Sequence, residues 1–400
     1  MRHLIAILAA VAAIPAAAAA PAARPVAPLY DAPGVTKACD DGIEKARKTI
    51  AVMEAKKGAG AIFDEWNRLQ IGIEDVVNPI YLLGSVSPDK AVRDAAEPCL
   101  QKFTTLGADV FQNEKVYARV NAAQPDNPHQ AKLKKDMLEG FEDTGVTLPP
   151  DKRARAKEIF EKIEELRQAF DRNIRDDPTK LVFKPEEMEG LPEAYLKARK
   201  RDAEGNYVLG LETPSYVPFM QNAKREDARK RYWMAKLNEG GAQNLDLLYD
   251  IFKLRKELAG LYGLPSFAHY TLRRKMVQTP ETVTNFLAEV KGAVTDLEKK
   301  EVEELRGEKA KDQGKPLEAT RIERWDVNYY QEKVRRERFQ VDQEKLRKYF
   351  PTDKAIEYVF LVAQTLYGVK FQEAKVPVWH PDVRYFDVVD AKTGKFISGF

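Results

Sequence analysis

Apolar residues recur at spacings of three and four along most of this chain, as in helices that bury one stripe. Ile43, Ala46, Ile50 and Met53 form one such stripe. Phe63, Trp66, Leu69, Ile73 and Val77 form a second, and Ile159, Ile163, Leu166 and Phe170 a third. Gly58-Ala-Gly60 lies between the first two. It lacks the third glycine and the preceding strand of a dinucleotide loop, so it reads as a helix–helix turn. Asp177-Pro178 ends the third helix, because a residue before proline is pushed out of the α region. A long helix is predicted from Leu245 to Tyr262, with Leu248, Phe252, Arg255, Ala259 and Tyr262 as its stripe. Arg255 falls among apolar positions. A guanidinium buried there needs a carboxylate partner or must snorkel outward, and of the two we expect a structural ion pair at Arg255. The segment from Asp296 to Lys315 is dense in charges of both signs and predicts a solvated helix and turn.

The helical period fails in two places. A turn at Asp202 to Asn206 leads into Tyr207-Val-Leu209, and Thr213 to Pro218 reads as extended. This gives a small hairpin over about 207–217. Val383 to Val389, a loop at Asp390 to Gly394 and a strand from Lys395 onward give a second, over 383–400. The second arm is still running at Phe400, so the fold is expected to be incomplete at the C-terminus. The fold class is therefore mainly α, a multi-helix two-part architecture with small β-hairpins. The parts are expected at 24–200 and 201–400.

Composition narrows the partners. The 400 residues are 44% hydrophobic and 32% charged, enough for a core with wide solvated faces. Lys+Arg number 65 against 62 Asp+Glu, a net +3, so nothing calls for nucleic acid. Arg2 and His3 precede an apolar run from Leu4 to Ile14 and several alanines, the pattern of a signal peptide over residues 1–23. A membrane anchor is the competing reading, but the run falls short of the ~20 residues of a span. No later stretch is apolar enough, so no membrane contact is expected after signal removal. Periplasmic or secreted localisation follows. Cys39 and Cys99, the two cysteines, then read as a disulfide rather than as two buried free thiols.

No catalytic residue and no metal ligand can be assigned from the residues. The histidines after residue 23 are His129, His269 and His380, and none pairs with another one helical turn away. A helical zinc-peptidase motif needs such a pair with Glu between. A zinc site from Cys39, Cys99 and a distant histidine stays open. Asp382 stands beside His380 and could orient it, although a lone loop histidine is more often structural. Gly-x-Ser-x-Gly and Walker patterns are absent.

Several words of the sequence resemble the M3 family of zinc oligopeptidases, the group of thimet oligopeptidase, oligopeptidase A and dipeptidyl carboxypeptidase. They are Tyr207-Val-Leu-Gly-Leu-Glu-Thr-Pro-Ser-Tyr-Val-Pro218, the run from Asn244 through Leu254-Arg-Lys-Glu-Leu-Ala259, and Leu261-Tyr-Gly263. Arg274-Lys-Met276, Trp325-Asp326, Tyr329-Tyr330, Tyr349-Phe-Pro351, Leu366-Tyr-Gly368 and Val378-Trp-His-Pro-Asp-Val383 follow in order. Phe141 to Asp176 is similar to the family's N-terminal half. The resemblance implies a nearly all-helical peptidase in two halves beside a deep channel. It implies zinc held by His-Glu-x-x-His and a downstream Glu, with short peptides as partners. In the family that motif follows the final hairpin, so 201–400 is expected to be the first part of the catalytic domain. Zinc then belongs to a full-length member, with none bound by this chain, and the missing C-terminal catalytic segment is itself an expected partner. The expected function is an exported zinc metallopeptidase acting on oligopeptides through metal-activated water, here lacking the zinc segment. The alternative is a non-enzymatic helical peptide-binding protein.

Overall fold

The computed structural model describes residues 26–340, 345–346 and 348–400. The expected signal peptide, residues 1–23, lies outside the described residues. The fold is mainly α, with two small antiparallel sheets. Two compact units are present, residues 30–351 and residues 352–400 with 26–29. Among the described residues no helix is long and apolar enough to cross a membrane.

The larger unit begins with six helices: α1 (Ala32–Ala55), α2 (Ile62–Val86), α3 (Lys90–Phe111), α4 (Glu114–Ala122), α5 (Pro128–Thr144) and α6 (Pro150–Arg175). Their starts are encoded locally. The Asp31 carboxylate accepts from Gly34 N at 2.7 Å, and Asn127 Oδ1 accepts from Gln130 N at 3.0 Å just before Pro128. Gly145, at φ 105°, closes α5 in the left-handed conformation that glycine adopts without strain. Most of the predicted stripe positions are buried: Ala46, Ile50 and Met53 on α1, Phe63, Trp66 and Leu69 on α2, Ile159 and Leu166 on α6, while Ile43, Ile73, Val77, Ile163 and Phe170 are half-buried. α3 packs against both α1 and α2. The contact with α2 is close at Gly84, where a Cβ would lie 2.9 Å from that of Ala96. Trp66, Phe111 and Phe141 form an aromatic cluster with ring centroids 5.3–5.6 Å apart. Cys39 on α1 is bonded to Cys99 on α3, with Cα atoms 5.7 Å apart. The Gly58-Ala59 turn is clamped by buried Arg119, which donates to Gly58 O at 2.8 Å, Ala59 O at 2.9 Å and Glu65 Oε2 at 2.9 Å.

Two expectations for the middle of the chain are corrected. The boundary at 200/201 runs through a sheet. β1 (Leu181–Phe183), β2 (Lys200–Arg201) and β3 (Tyr207–Leu209) pair in the order β1-β3-β2, so strands from both sides of the boundary share one ladder. A short helix, α7 (Glu193–Lys197), sits between β1 and β2. Thr213 to Pro218 is not extended but opens helix α8 (Thr213–Asn222). Pro214 occupies the first turn, where its fixed φ suits a helix. Pro218 has no N–H to offer the Pro214 carbonyl one turn earlier. Arg199 Nη2 reaches that carbonyl at 3.1 Å instead, while Nη1 bonds Ser215 Oγ at 2.8 Å. Arg199→Ala should therefore destabilise by about 1 kcal/mol, read as a lower urea midpoint. Adding Pro218→Ala, which restores the missing donor, should recover part of that loss; an additive or greater loss would refute this account.

Next come α9 (Glu226–Leu237), α10 (Gln243–Leu261), α11 (Phe267–Leu272), α12 (Pro280–Gln313) and α13 (Val327–Phe339). α10 packs on α6, with Leu258 against Ala156 and Ile159. The face it buries carries Ile251, Leu258 and Ala259, whereas Phe252 of the expected stripe is exposed. Arg255 therefore sits on a flank, half-buried. Among the described residues no carboxylate pairs with it. Its guanidinium lies over the Phe267 ring, 5.0 Å from the centroid. The expected ion pair is replaced by a cation–π contact, because the helix is turned about one residue from the predicted register and the side chain snorkels past an aromatic neighbour.

The smaller unit contains α14 (Thr352–Tyr367) and the strands β4 (Val369–Ala374), β5 (Tyr385–Asp390) and β6 (Phe396–Gly399). The predicted hairpin is β5–β6, but it is part of a three-stranded sheet in the order β4-β5-β6. α14 packs on β4, where Phe360 stacks on Phe371 at 4.3 Å and meets Phe386 edge-on at 4.8 Å. Arg384 holds β5 to β4 through a two-pronged bond to Glu373, at 2.9 and 2.8 Å.

Candidate functional site

The three histidines do not assemble. His129 is exposed in the first turn of α5. His269 on α11 places Nδ1 2.8 Å from Ser266 Oγ. His380, in the smaller unit, accepts at Nδ1 from Asp382 N at 3.2 Å. Cys39 and Cys99 are consumed by their bond to each other. Among the described residues no group of three or more His, Cys, Asp or Glu side chains converges so as to hold a metal. The described residues therefore do not fit a catalytic zinc.

A different constellation does assemble, at the junction of α9, α12 and the Trp325-Asp326 corner that opens α13. Asp326 is wholly buried. Its Oδ1 accepts from Arg229 Nη2 at 2.7 Å; its Oδ2 accepts from Lys309 Nζ at 2.5 Å and from Glu323 N at 3.1 Å. Arg229, also buried, spends its other donors on Ala223 O, Lys224 O and Trp325 O at 2.8–3.2 Å, and stacks over Tyr329 at 4.3 Å. Lys309 reaches Glu226 Oε1 at 3.0 Å, and Glu226 also accepts from Trp325 Nε1 and Gln313 Nε2. Burial pushes the Glu226 carboxyl up, but the bonds from Lys309 and Trp325 outweigh it and hold the group below its ordinary value. Two cations face two carboxylates, so the network is neutral. Its role is to pin α9, α12 and α13 to one another.

Sequence reasoning missed this network by reading Asp296 to Lys315 as solvated. The signal was present: Lys309 stands four residues after buried Leu305, on the same face of α12. A second joint lies nearby in sequence, where Tyr262 Oη and Tyr270 Oη both donate to Asp143 O at 2.6 Å. Burial pushes both phenols up, which keeps them protonated donors. A surface depression of about 550 Å³ between α12 and α13 is lined by Glu304, Gly307, Glu308, Lys311, Val334, Glu337 and Arg338.

Comparison with known proteins supplies what the geometry does not. The sequence model described as peptidase family M3 matches residues 219–400. Oligopeptidase A of Escherichia coli (strain K12) is 30% identical over 391 residues, covering 91% of this chain and 56% of that protein. Saccharolysin of Saccharomyces cerevisiae is 30% identical over 346 residues, 81% of this chain and 48% of that protein. A thimet-like oligopeptidase of Dictyostelium discoideum is 28% identical over 379 residues, 88% and 55% respectively. The chain thus spans about half the length of the curated relatives it matches.

Proposed function

Because the chain belongs to peptidase family M3, we propose that it serves the hydrolysis of short peptides, as the helical part of an exported zinc oligopeptidase. The observation that carries this is the similarity to oligopeptidase A, which runs through 91% of the chain rather than through one motif. In such chemistry zinc supplies an activated water and polarises the scissile carbonyl. It needs about three protein ligands and one open position. The described residues do not provide that set. What they provide is scaffold: capped helices, the Asp326 network, and faces on which a peptide channel can be built. The apolar run from Leu4 to Ile14 supports export, and so does the Cys39–Cys99 bond, since disulfides persist in oxidising compartments.

The test has two arms. The 400-residue chain, purified alone, is expected to bind no stoichiometric zinc by elemental analysis and to leave a quenched-fluorescent oligopeptide uncut. Material captured from its native host with an antibody against this chain is expected to cut the same peptide in a chelator-sensitive way. Chelator-sensitive cleavage by the 400 residues alone would show that metal ligands lie among them. Captured material that binds peptides without cutting them would favour a peptide-binding protein instead.

A further inference from the structure

α12 is 34 residues long, yet its buried side chains are Leu305, Glu308, Lys309 and Ala310, all near its C-terminal end. The stretch before them carries Phe286, Leu287, Val290, Val294 and Leu297, between 40% and 61% exposed. Steps of three and four place Leu287, Val290, Val294 and Leu297 on one stripe, with Phe286 beside it. The row runs for roughly 16 Å along the helix. Single apolar residues on a surface are ordinary, whereas a continuous row on one helix face is the pattern of a buried contact.

We infer that this face of α12 is the seat of the remaining part of an M3 peptidase chain, the portion that the relatives possess and these residues do not match. The inference rests on the family reading above. Two observations favour this occupant. α12 lies within residues 219–400, which the family model matches, and the chain accounts for only 56% of oligopeptidase A. An interface within the larger assembly therefore has a candidate of the right size. Glu289, Lys291, Asp296, Glu298 and Lys299 stand near the row, so the covering surface is apolar with a margin of mixed charge.

Hydrogen exchange tests this on two intact proteins, this chain and complete E. coli oligopeptidase A. Amides of Phe286 to Leu297 should exchange quickly here, and the aligned segment of oligopeptidase A at least a hundredfold more slowly. Val290→Glu with Val294→Glu should barely move the melting temperature of this chain, while Glu at the aligned positions of oligopeptidase A should lower its melting temperature markedly. Fast exchange in both proteins overturns the inference. So does slow exchange in this chain that is lost on dilution, which would give the face to a second copy. Slow exchange in both, indifferent to dilution, overturns it too, because the helix then needs no cover. None of these readouts is hydrolysis, so a failure here leaves the peptidase reading to its own test.

Discussion

Asp326→Asn should destabilise the larger unit by about 3–5 kcal/mol, the usual range when one partner is removed from a buried ion pair. The size follows from what the carboxylate faces. Arg229 and Lys309 are both buried, and Asp326 contacts both. With Asn in its place, Arg229 keeps three backbone carbonyls but no counter-charge, and Lys309 keeps only the half-exposed Glu226. Lys309→Met should cost clearly less, because the Arg229–Asp326 pair survives and Met occupies much of the lysine stem's volume. Urea titration monitored by helicity measures both. A loss under about 1 kcal/mol for Asp326→Asn would mean that water reaches the network. The same network sets an acid limit. Glu226 is held below its ordinary value, so its contribution is complete above that value and fades as pH falls through the lower, folded one. Glu226→Gln should accordingly flatten the acid limb of the stability curve, below the ordinary titration range of a glutamate.

The sequence made the helices legible wherever a stripe was narrow. Ile159 and Leu166 leave no choice of face for α6, and both are buried. α10 was misread because its sequence has apolar residues on several sides: Leu245, Tyr249 and Phe252 compete with Ile251 and Leu258. Periodicity alone cannot say which side meets α6. Thr213 to Pro218 misled for another reason. Two prolines read as extended chain, and only the distant Arg199 shows how a helix tolerates the second. β4 was missed because Val369 to Ala374 directly follows a helix and carries Lys, Gln and Glu on a half-exposed strand. No assembled catalytic site could be read from the sequence. The histidines stand far apart along the chain and in two units, and the buried charges of the Asp326 network come from Arg229, Lys309 and Asp326, nearly a hundred residues from end to end.

Reducing the Cys39–Cys99 bond should lower stability by about 4 kcal/mol in the chain-entropy model, given the 60-residue separation it closes. The bond ties α1 to α3, the helix at the centre of the first three. Both cysteines are nearly inaccessible, at 1% and 2% exposure, so reductant should act only after the bundle opens. Reduction under native conditions should then follow the unfolding rate and accelerate with urea. The reduced wild type is a better comparison than Cys39→Ala with Cys99→Ala, because truncation also removes two buried sulfurs and adds a packing loss of its own. A reduced protein whose urea midpoint equals that of the oxidised one would refute the estimate. The thiols also report on the compartment. Protein taken from the periplasm and alkylated in denaturant without reductant should show no free thiol, and protein retained in the cytosol should show two. Two reactive thiols in the periplasmic sample would remove the disulfide as a support for export and leave that proposal resting on residues 1–23 alone.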